Sequence, residues 1–297
     1  MKLLVTGASG LVGTALVSAL QANGDAVVRL VRAKTNGSTD VAWNPRTGDI
    51  DLAGLEGMDG VVHLAGENIA GGRWTAQLKA EILTSRVNGT RLLAESIVKL
   101  KRPPKVLVSS SAIGFYGDRA SEQLSETSKA GTGFLADVCK AWEGATAAAE
   151  QKGIRVVHVR TGIVLSTAGG ALAKMLFPFR MGVGGNIGNG KQYMSWISLA
   201  DLSRIFHLAL HDESLRGPVN GTAPTPVTNA EFTRALGHAL HRPTIFPMPA
   251  FAARLVLGEM ADALLLASTR VLPAKLSEKG FLFQDKEIET TLKKLVG

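Results

Sequence analysis

Tyrosine and cysteine are scarce in this chain: 297 residues include two tyrosines, Tyr116 and Tyr193, and one cysteine, Cys139. A single cysteine excludes a disulfide within the chain and fits a reducing compartment. Long apolar runs are also missing. The start MKLLVTGASG breaks into Thr-Gly before a signal-peptide core forms, and the apolar stretch near 250–268 is interrupted by Arg254, Glu259 and Asp262. No membrane segment is expected, and the chain reads as cytoplasmic. Nor is there a concentrated run of one charge. The net charge is +8, but the densest basic group, Lys99, Lys101, Arg102 and Lys105, sits beside Pro103 and Pro104 as a solvated helix-to-strand turn. A nucleic-acid partner is therefore not expected. The 45% apolar and 20% charged content is that of an ordinary globular protein.

What is present is a regular alternation of strand and helix patterns. Leu3, Leu4 and Val5 form a short apolar run, then a helical stripe follows at Leu11, Ala15, Leu16, Ala19 and Leu20. Asn23-Gly24 ends that helix, and Ala26 to Val31 reads as the next strand, which completes a βαβ unit. Further strands are expected at 60–64, 105–109 and 154–159, with long helices around 75–100 and 132–152 between them. This pattern predicts an α/β fold, a Rossmann-type doubly wound parallel sheet, with a smaller and mostly helical C-terminal lobe. The expected division is a nucleotide domain at 1–165, its core completed by 196–225, and a substrate-cleft lobe at 166–297 with a helical module from about 249. The stretch 182–190 reads either as a lid over the cleft or as a Gly-rich connection.

The first strand-to-helix turn reads Thr6-Gly7-Ala8-Ser9-Gly10-Leu11-Val12-Gly13, a TGxxGxxG pattern. In this context Gly7 permits the tight turn, Gly10 lets backbone approach a pyrophosphate, and Gly13 lets helix and strand pack closely. Ser9, Leu11 and Val12 complete the loop, whose amides would face the phosphates. The second strand ends Arg29-Leu30-Val31-Arg32, with no Asp or Glu to take a ribose 2′-hydroxyl. Arg32 offers a planar fork to a 2′-phosphate instead, so the expected cofactor is NADP(H). An anionic dinucleotide also accounts for part of the basicity.

These residues resemble the extended short-chain dehydrogenase/reductases, the group that includes NAD-dependent epimerases and dehydratases. Besides the glycine loop, Asp59-Gly60-Val61-Val62-His63-Leu64-Ala65-Gly66 looks like the family's fourth-strand segment, which implies cofactor contacts at Leu64, Ala65 and Gly66. Ser109 to Gly117 looks like its serine-bearing strand and implies a catalytic role for Ser111, with Tyr116 close behind. The family's catalytic Tyr and Lys, four residues apart, fall on Leu135 and Cys139, and its Asn falls on Arg86. These departures resemble an atypical epimerase-family subgroup, the YfcH-like proteins, as do Arg73-Trp74, Ser85-Arg86, Arg160 to Leu165, Gly182 to Gly188 and the tail from Pro249. The resemblance carries further cofactor contacts over to Val31, Arg32, Glu81, Arg86 and Val164.

Two functional readings stay open at this point. One is an NADP-dependent oxidoreductase or epimerase-like enzyme acting on an unidentified small molecule; the other is an NADPH-binding sensor or scaffold without catalysis. His63 reads as a hydrogen-bonded core histidine, and His207 and His211 as a packing or solvent-facing pair with no third ligand close in sequence, so no metal is expected.

Overall fold

The computed structural model describes residues 1–33 and 39–297. Its centre is an eight-stranded sheet: β1 (Lys2–Thr6), β2 (Ala26–Val31), β3 (Val41–Asn44), β4 (Asp49–Ile50), β5 (Gly60–His63), β6 (Val106–Ala112), β7 (Arg155–Thr161) and β8 (Gly217–Gly221). The spatial order is β8-β7-β6-β5-β1-β2-β3-β4. Every pairing is parallel except β3 with β4. The chain winds outward from β1 in one direction through β4 and in the other from β5 to β8. The switch between β1 and β5 opens a crevice at the carboxyl ends of the strands.

Both faces of the sheet are covered, which is why its strands are apolar throughout rather than alternating. Leu3, Val5, Val62, Val108 and Val157 face one core, with Leu16 and Leu20 of α1 (Leu11–Ala22). Leu4, Val61, Leu107 and Val156 face the other, with Leu93, Ala94 and Ile97 of α2 (Ala76–Ile97). The helical pattern after residue 132 is split into α3 (Phe134–Gly144) and a short five-residue helix at Ala147–Gln151. The cause is Thr146, whose hydroxyl donates to Glu143 O at 2.8 Å and accepts from His158 Nε2 at 3.0 Å, so the chain turns there instead of extending one helix.

Beyond β7 come α4 (Gly170–Arg180), α5 (Leu199–His211), α6 (Asn229–Leu240), α7 (Ala250–Leu257) and α8 (Ile288–Val296). Leu172 and Leu176 of α4, Phe232 and Leu236 of α6 and Leu292 of α8 join the same core as Leu3 and Val5, so the C-terminal portion is continuous with the sheet. The 182–190 stretch is tied down rather than free to swing. Gly188 N and Met248 N bond to Met248 O and Asn186 O, and Ile187 N bonds to the Asn229 side chain. None of the described helices is long and apolar enough to cross a membrane.

One hydroxyl joins the two central strands. Thr6 Oγ1 accepts from the amides of Leu64 and Ala65 at 3.0 and 3.1 Å, and lies 2.8 Å from His63 Nδ1. A hydroxyl has one proton, so it donates to Nδ1 and the His63 proton sits on Nε2. That Nε2 has no hydrogen-bond partner among the described residues, and the edge of Trp43 packs against the ring at 6.0 Å between centroids. His63 was expected to be a satisfied core histidine; it is satisfied on one nitrogen only. Burial, assisted by the Arg86 charge, pushes its pKa down to about 4.

Two outcomes follow. Thr6→Val strands two amides and an imidazole nitrogen, and is expected to lower unfolding free energy by about 2–4 kcal/mol in urea melts, with Thr6→Ser close to the parent. His63 is neutral in the fold and ordinary when unfolded, so its contribution is complete above pH ~6.5 and lost as pH falls from ~6.5 toward about 4. The expected loss is ~3 kcal/mol over that window, and the His63 ring signals should not titrate between pH 7 and pH ~5. A His63 resonance that titrates near pH ~6.5 would show the assignment to be wrong.

Candidate functional site

The crevice at the β1/β5 switch is a cleft of about 510 Å³, a size suited to a small-molecule ligand. Its floor is the glycine loop. Gly7 has φ of +65°, and a Cβ there would meet Leu64 C at 2.8 Å and Ala65 N at 2.9 Å. A Cβ on Gly13 would meet Gly7 O at 2.1 Å, so α1 can seat on the loop only with glycine at that position. Gly10 differs: the nearest atom to its Cβ position would be Gly7 O at 3.4 Å, and its exposed face lines the cleft. Gly10 also caps α1, with no side chain bonding the first turn and no acidic residue in it. The free amides and the positive end of the helix dipole at this terminus favour an anion, which fits a cofactor pyrophosphate.

The wall at the end of β2 carries Arg29, Val31 and Arg32. Arg29 is already engaged, since its Nε and Nη2 form a fork on Asp40 at 2.9 and 2.8 Å. Arg32 is exposed and has no ion-pair partner among the described residues. Beside it, the β3–β4 turn brings in Trp43, Pro45 and Arg46. That turn is shaped by Asn44, whose side-chain oxygen accepts from Arg46 N at 3.1 Å, and by Gly48 with φ of +84°. Arg46 is exposed and likewise without an ion-pair partner among the described residues. The sequence reading did not find this hairpin; the Asn-Pro-Arg-Thr-Gly-Asp turn was the signal available.

The opposite wall is Leu64, Ala65, Gly66, Glu67 and Asn68 with Glu81, Thr84, Ser85 and Asn88 of α2. Gly7, Ser9, Gly10, Val31, Arg32, Leu64, Ala65, Gly66 and Glu81 are thus brought together on the lining of one cleft. The other expected contacts sit behind this surface. Leu11 packs toward Gly169 and Gly170, Val12 lies against the main core, and Gly13 is buried under the loop. Val164 pairs with Ile197 in a separate two-stranded ladder and packs on the same core.

Arg86 is also outside the cleft lining. Its guanidinium lies 5.0 Å from the Trp142 ring, Nη1 donates to Ile82 O at 3.1 Å, and its side chain fills the space behind Gly66, where an added Cβ would meet it at 3.3 Å. Burial disfavours its charge, while Cys139 and Glu67 pull the other way. A guanidinium stays protonated at neutral pH even so. Arg86 is therefore a partly buried cation between the cleft and the region of Ser111.

Ser111 ends in a buried polar chain. Its hydroxyl donates to Glu143 Oε1 at 2.7 Å, and Arg160 forks both Glu143 oxygens at 2.8 Å. Arg160 Nη1 then donates to Tyr116 OH at 3.0 Å, and that hydroxyl donates to Asn220 Oδ1 at 2.7 Å. Tyr116 is fully enclosed, and burial raises its pKa against the opposing pull of Arg160. Its expected catalytic role is corrected on this ground: the phenol is neutral, bonded on both sides and away from solvent. Cys139 is buried too, its pKa pushed up to about 11 by burial and by Glu143, and Leu135 packs on Gly114. Neither is a proton donor or acceptor at neutral pH.

Comparison with known proteins places this geometry. Residues 3–220 match the model of the NAD dependent epimerase/dehydratase family, and residues 248–295 match a domain of unknown function. An epimerase family protein of Mycobacterium tuberculosis is 44% identical over 97% of this chain and 95% of its own length. The human epimerase family protein SDR39U1 is 36% identical with both chains covered in full. A crystal structure of human SDR39U1 with NADPH superposes with a TM-score of 0.91 at 34% identity, covering 100% of this chain and 99% of that one. UDP-N-acetylglucosamine 4-epimerase from Bacillus cereus, 17% identical with a TM-score of 0.77 over 99% of this chain and 98% of its own, shares the fold. On the family match across β1 to β8 and these full-length relatives, the chain belongs to the NAD dependent epimerase/dehydratase family.

Proposed function

We propose that the cleft binds NADPH and that the chain is an NADP(H)-dependent oxidoreductase or epimerase-like enzyme acting on a small molecule without the usual Tyr-Lys pair. The observation that carries the cofactor assignment is the pair Arg32 and Arg46, two exposed guanidinium groups at the end of β2 with no ion-pair partner among the described residues, while the nearby Asp40 is held by Arg29. Two cations there suit a 2′-phosphate, and a carboxylate for a bare ribose hydroxyl is missing from the β2 end. The solved human relative with NADPH supports the same reading.

Bound in this cleft, the nicotinamide supplies hydride transfer. The chain's own residues do the holding. The Gly7–Gly10 loop and the α1 terminus receive the pyrophosphate, and Trp43 and Pro45 flank the adenosine end. Ser111 is buried and outside the cleft lining; with its proton committed to Glu143 it keeps lone pairs that only a substrate hydroxyl inserted behind that lining would reach. A second reading, NADPH binding without turnover, is favoured by the same polar chain, because Tyr116 is enclosed and bonded on both sides, the buried Cys139 thiol does not ionise near neutral pH, and Leu135 has no titratable group.

Arg32→Ala and Arg46→Ala are each expected to weaken NADPH binding by about tenfold in fluorescence titration while leaving NADH nearly unchanged, the loss of one charged contact. Unchanged NADPH affinity in both would remove the 2′-phosphate assignment. For catalysis, purified protein mixed with NADPH and a metabolite extract is expected to oxidise the cofactor with loss of absorbance at about 340 nm. Tight NADPH binding with no oxidation, and no reduction of NADP in the reverse direction, would decide for the second reading.

A further inference from the structure

Across the sheet from the cleft, at the amino ends of the strands, the fold assembles a cluster that no part of the proposed chemistry uses. His207 and His211 occupy the last two turns of α5 and stack at 4.1 Å between ring centroids. The adjacent Asp212 is held by Lys279 at 2.8 Å, and the fold brings Asp25 to the pair from the turn between α1 and β2, 182 positions before His207. One ligand atom from each of the three residues lies within 4.8 Å of the others.

We propose that Asp25, His207 and His211 form a binding site for a borderline divalent cation of the Zn²⁺ type. Two details of the side chains aim them at such an ion. His211 Nδ1 lies 2.9 Å from the His207 carbonyl oxygen, which can only accept, so Nδ1 carries the proton and the Nε2 lone pair is left free. A backbone carbonyl fixing the far nitrogen of a metal-binding imidazole is the usual supporting contact. That Nε2 points toward Asp25, 3.9 Å from Oδ1, too far for a hydrogen bond.

Asp25 supplies the second detail. Its side chain is 5% exposed; Oδ1 accepts from the Met1 ammonium at 2.7 Å, while the buried Oδ2 has no hydrogen-bond partner among the described residues. A buried carboxylate oxygen without a donor is a place where a cation restores what burial removed. Two imidazole nitrogens and one carboxylate form the three-ligand set of open zinc sites, with a position left for water, whereas calcium and magnesium favour all-oxygen shells. Ligand atoms around tetrahedral zinc lie roughly 3.4 Å apart, so the cluster closes by about an ångström on binding. The half-exposed His211 ring has that freedom. The ion would tie the end of α5 to the α1–β2 turn, away from the cofactor.

The test is a Zn²⁺ titration of the untagged full-length protein against a chromophoric chelator, with Co²⁺ absorption as the report on geometry. One equivalent should bind at micromolar Kd or tighter, with the strong visible bands of tetrahedral Co²⁺. His211→Ala and Asp25→Asn should each weaken binding at least tenfold, and Zn²⁺ should raise the Tm of the parent but not of His211→Ala. The NADPH affinity of every variant should match the parent, which separates this site from the cleft and confirms folding. Binding no tighter than millimolar, or affinity unchanged in His211→Ala, would overturn the site. Affinity unchanged in Asp25→Asn with a cleft-competent fold would reduce it to an exposed histidine pair, which also overturns it.

Discussion

The Thr6 hydroxyl is the contact on which the site geometry depends. It holds the ends of β1 and β5 together at the point where the sheet changes winding direction, and Gly7 follows it directly. The crevice between those strands has a defined width only while the Leu64 and Ala65 amides are gathered onto that oxygen. The close approach of Gly7 to Leu64 and of Gly13 to Gly7 belongs to the same constraint, because neither leaves room for a Cβ. A neutral, wholly buried His63 is the cost: its Nδ1 accepts a hydrogen bond from the hydroxyl, and its Nε2 has no partner among the described residues.

A second constraint governs the chemistry. Arg160 is almost wholly buried and must be neutralised, which Glu143 does through two bonds. The pair then draws in Ser111 on one side and Tyr116 with Asn220 on the other, and the Phe115 ring stacks 3.4 Å from the Arg160 guanidinium carbon. Removing one partner would leave an uncompensated buried charge, so these groups are a structural unit before they are a reactive one. Tyr116, bonded on both sides, and the buried thiol of Cys139 are thereby withdrawn from the division of labour in which a phenolate base works beside a lysine.

Much of this was legible in the sequence, and the exceptions have physical reasons. The bounds Ala26 to Val31 and Leu11 to Ala22 follow from apolar periodicity and from Gly10 and Asn23 at the helix ends. The cofactor loop was equally plain, since Gly7 and Gly13 answer to close approaches that leave no room for a Cβ. Arg46 was not legible, because β3 and β4 have only four and two residues and carry too little periodicity to be recognised. Tyr116 looked reactive by its place after Ser111, but its partners Arg160 and Asn220 arrive from β7 and β8, far along the chain. The join of Asp25 to His207 and His211 was hidden for the same reason: sequence spacing reports contacts along one helix and is silent on those made by a sheet.

Charge availability, more than charge count, decides what this surface recognises. Three arginines reach the β2 end of the cleft, yet Arg29 is neutralised by Asp40, and that bond also anchors the segment entering β3. Among the described residues the cations left over are Arg32, at the tip of β2, and Arg46, on a turn whose shape depends on Asn44 and Gly48. A mutation at Asn44 or Asp40 would therefore alter anion recognition without touching an arginine, by moving one cation or by freeing a third. The net charge of +8 carries none of this information. It resides in which guanidinium groups the fold leaves without a carboxylate.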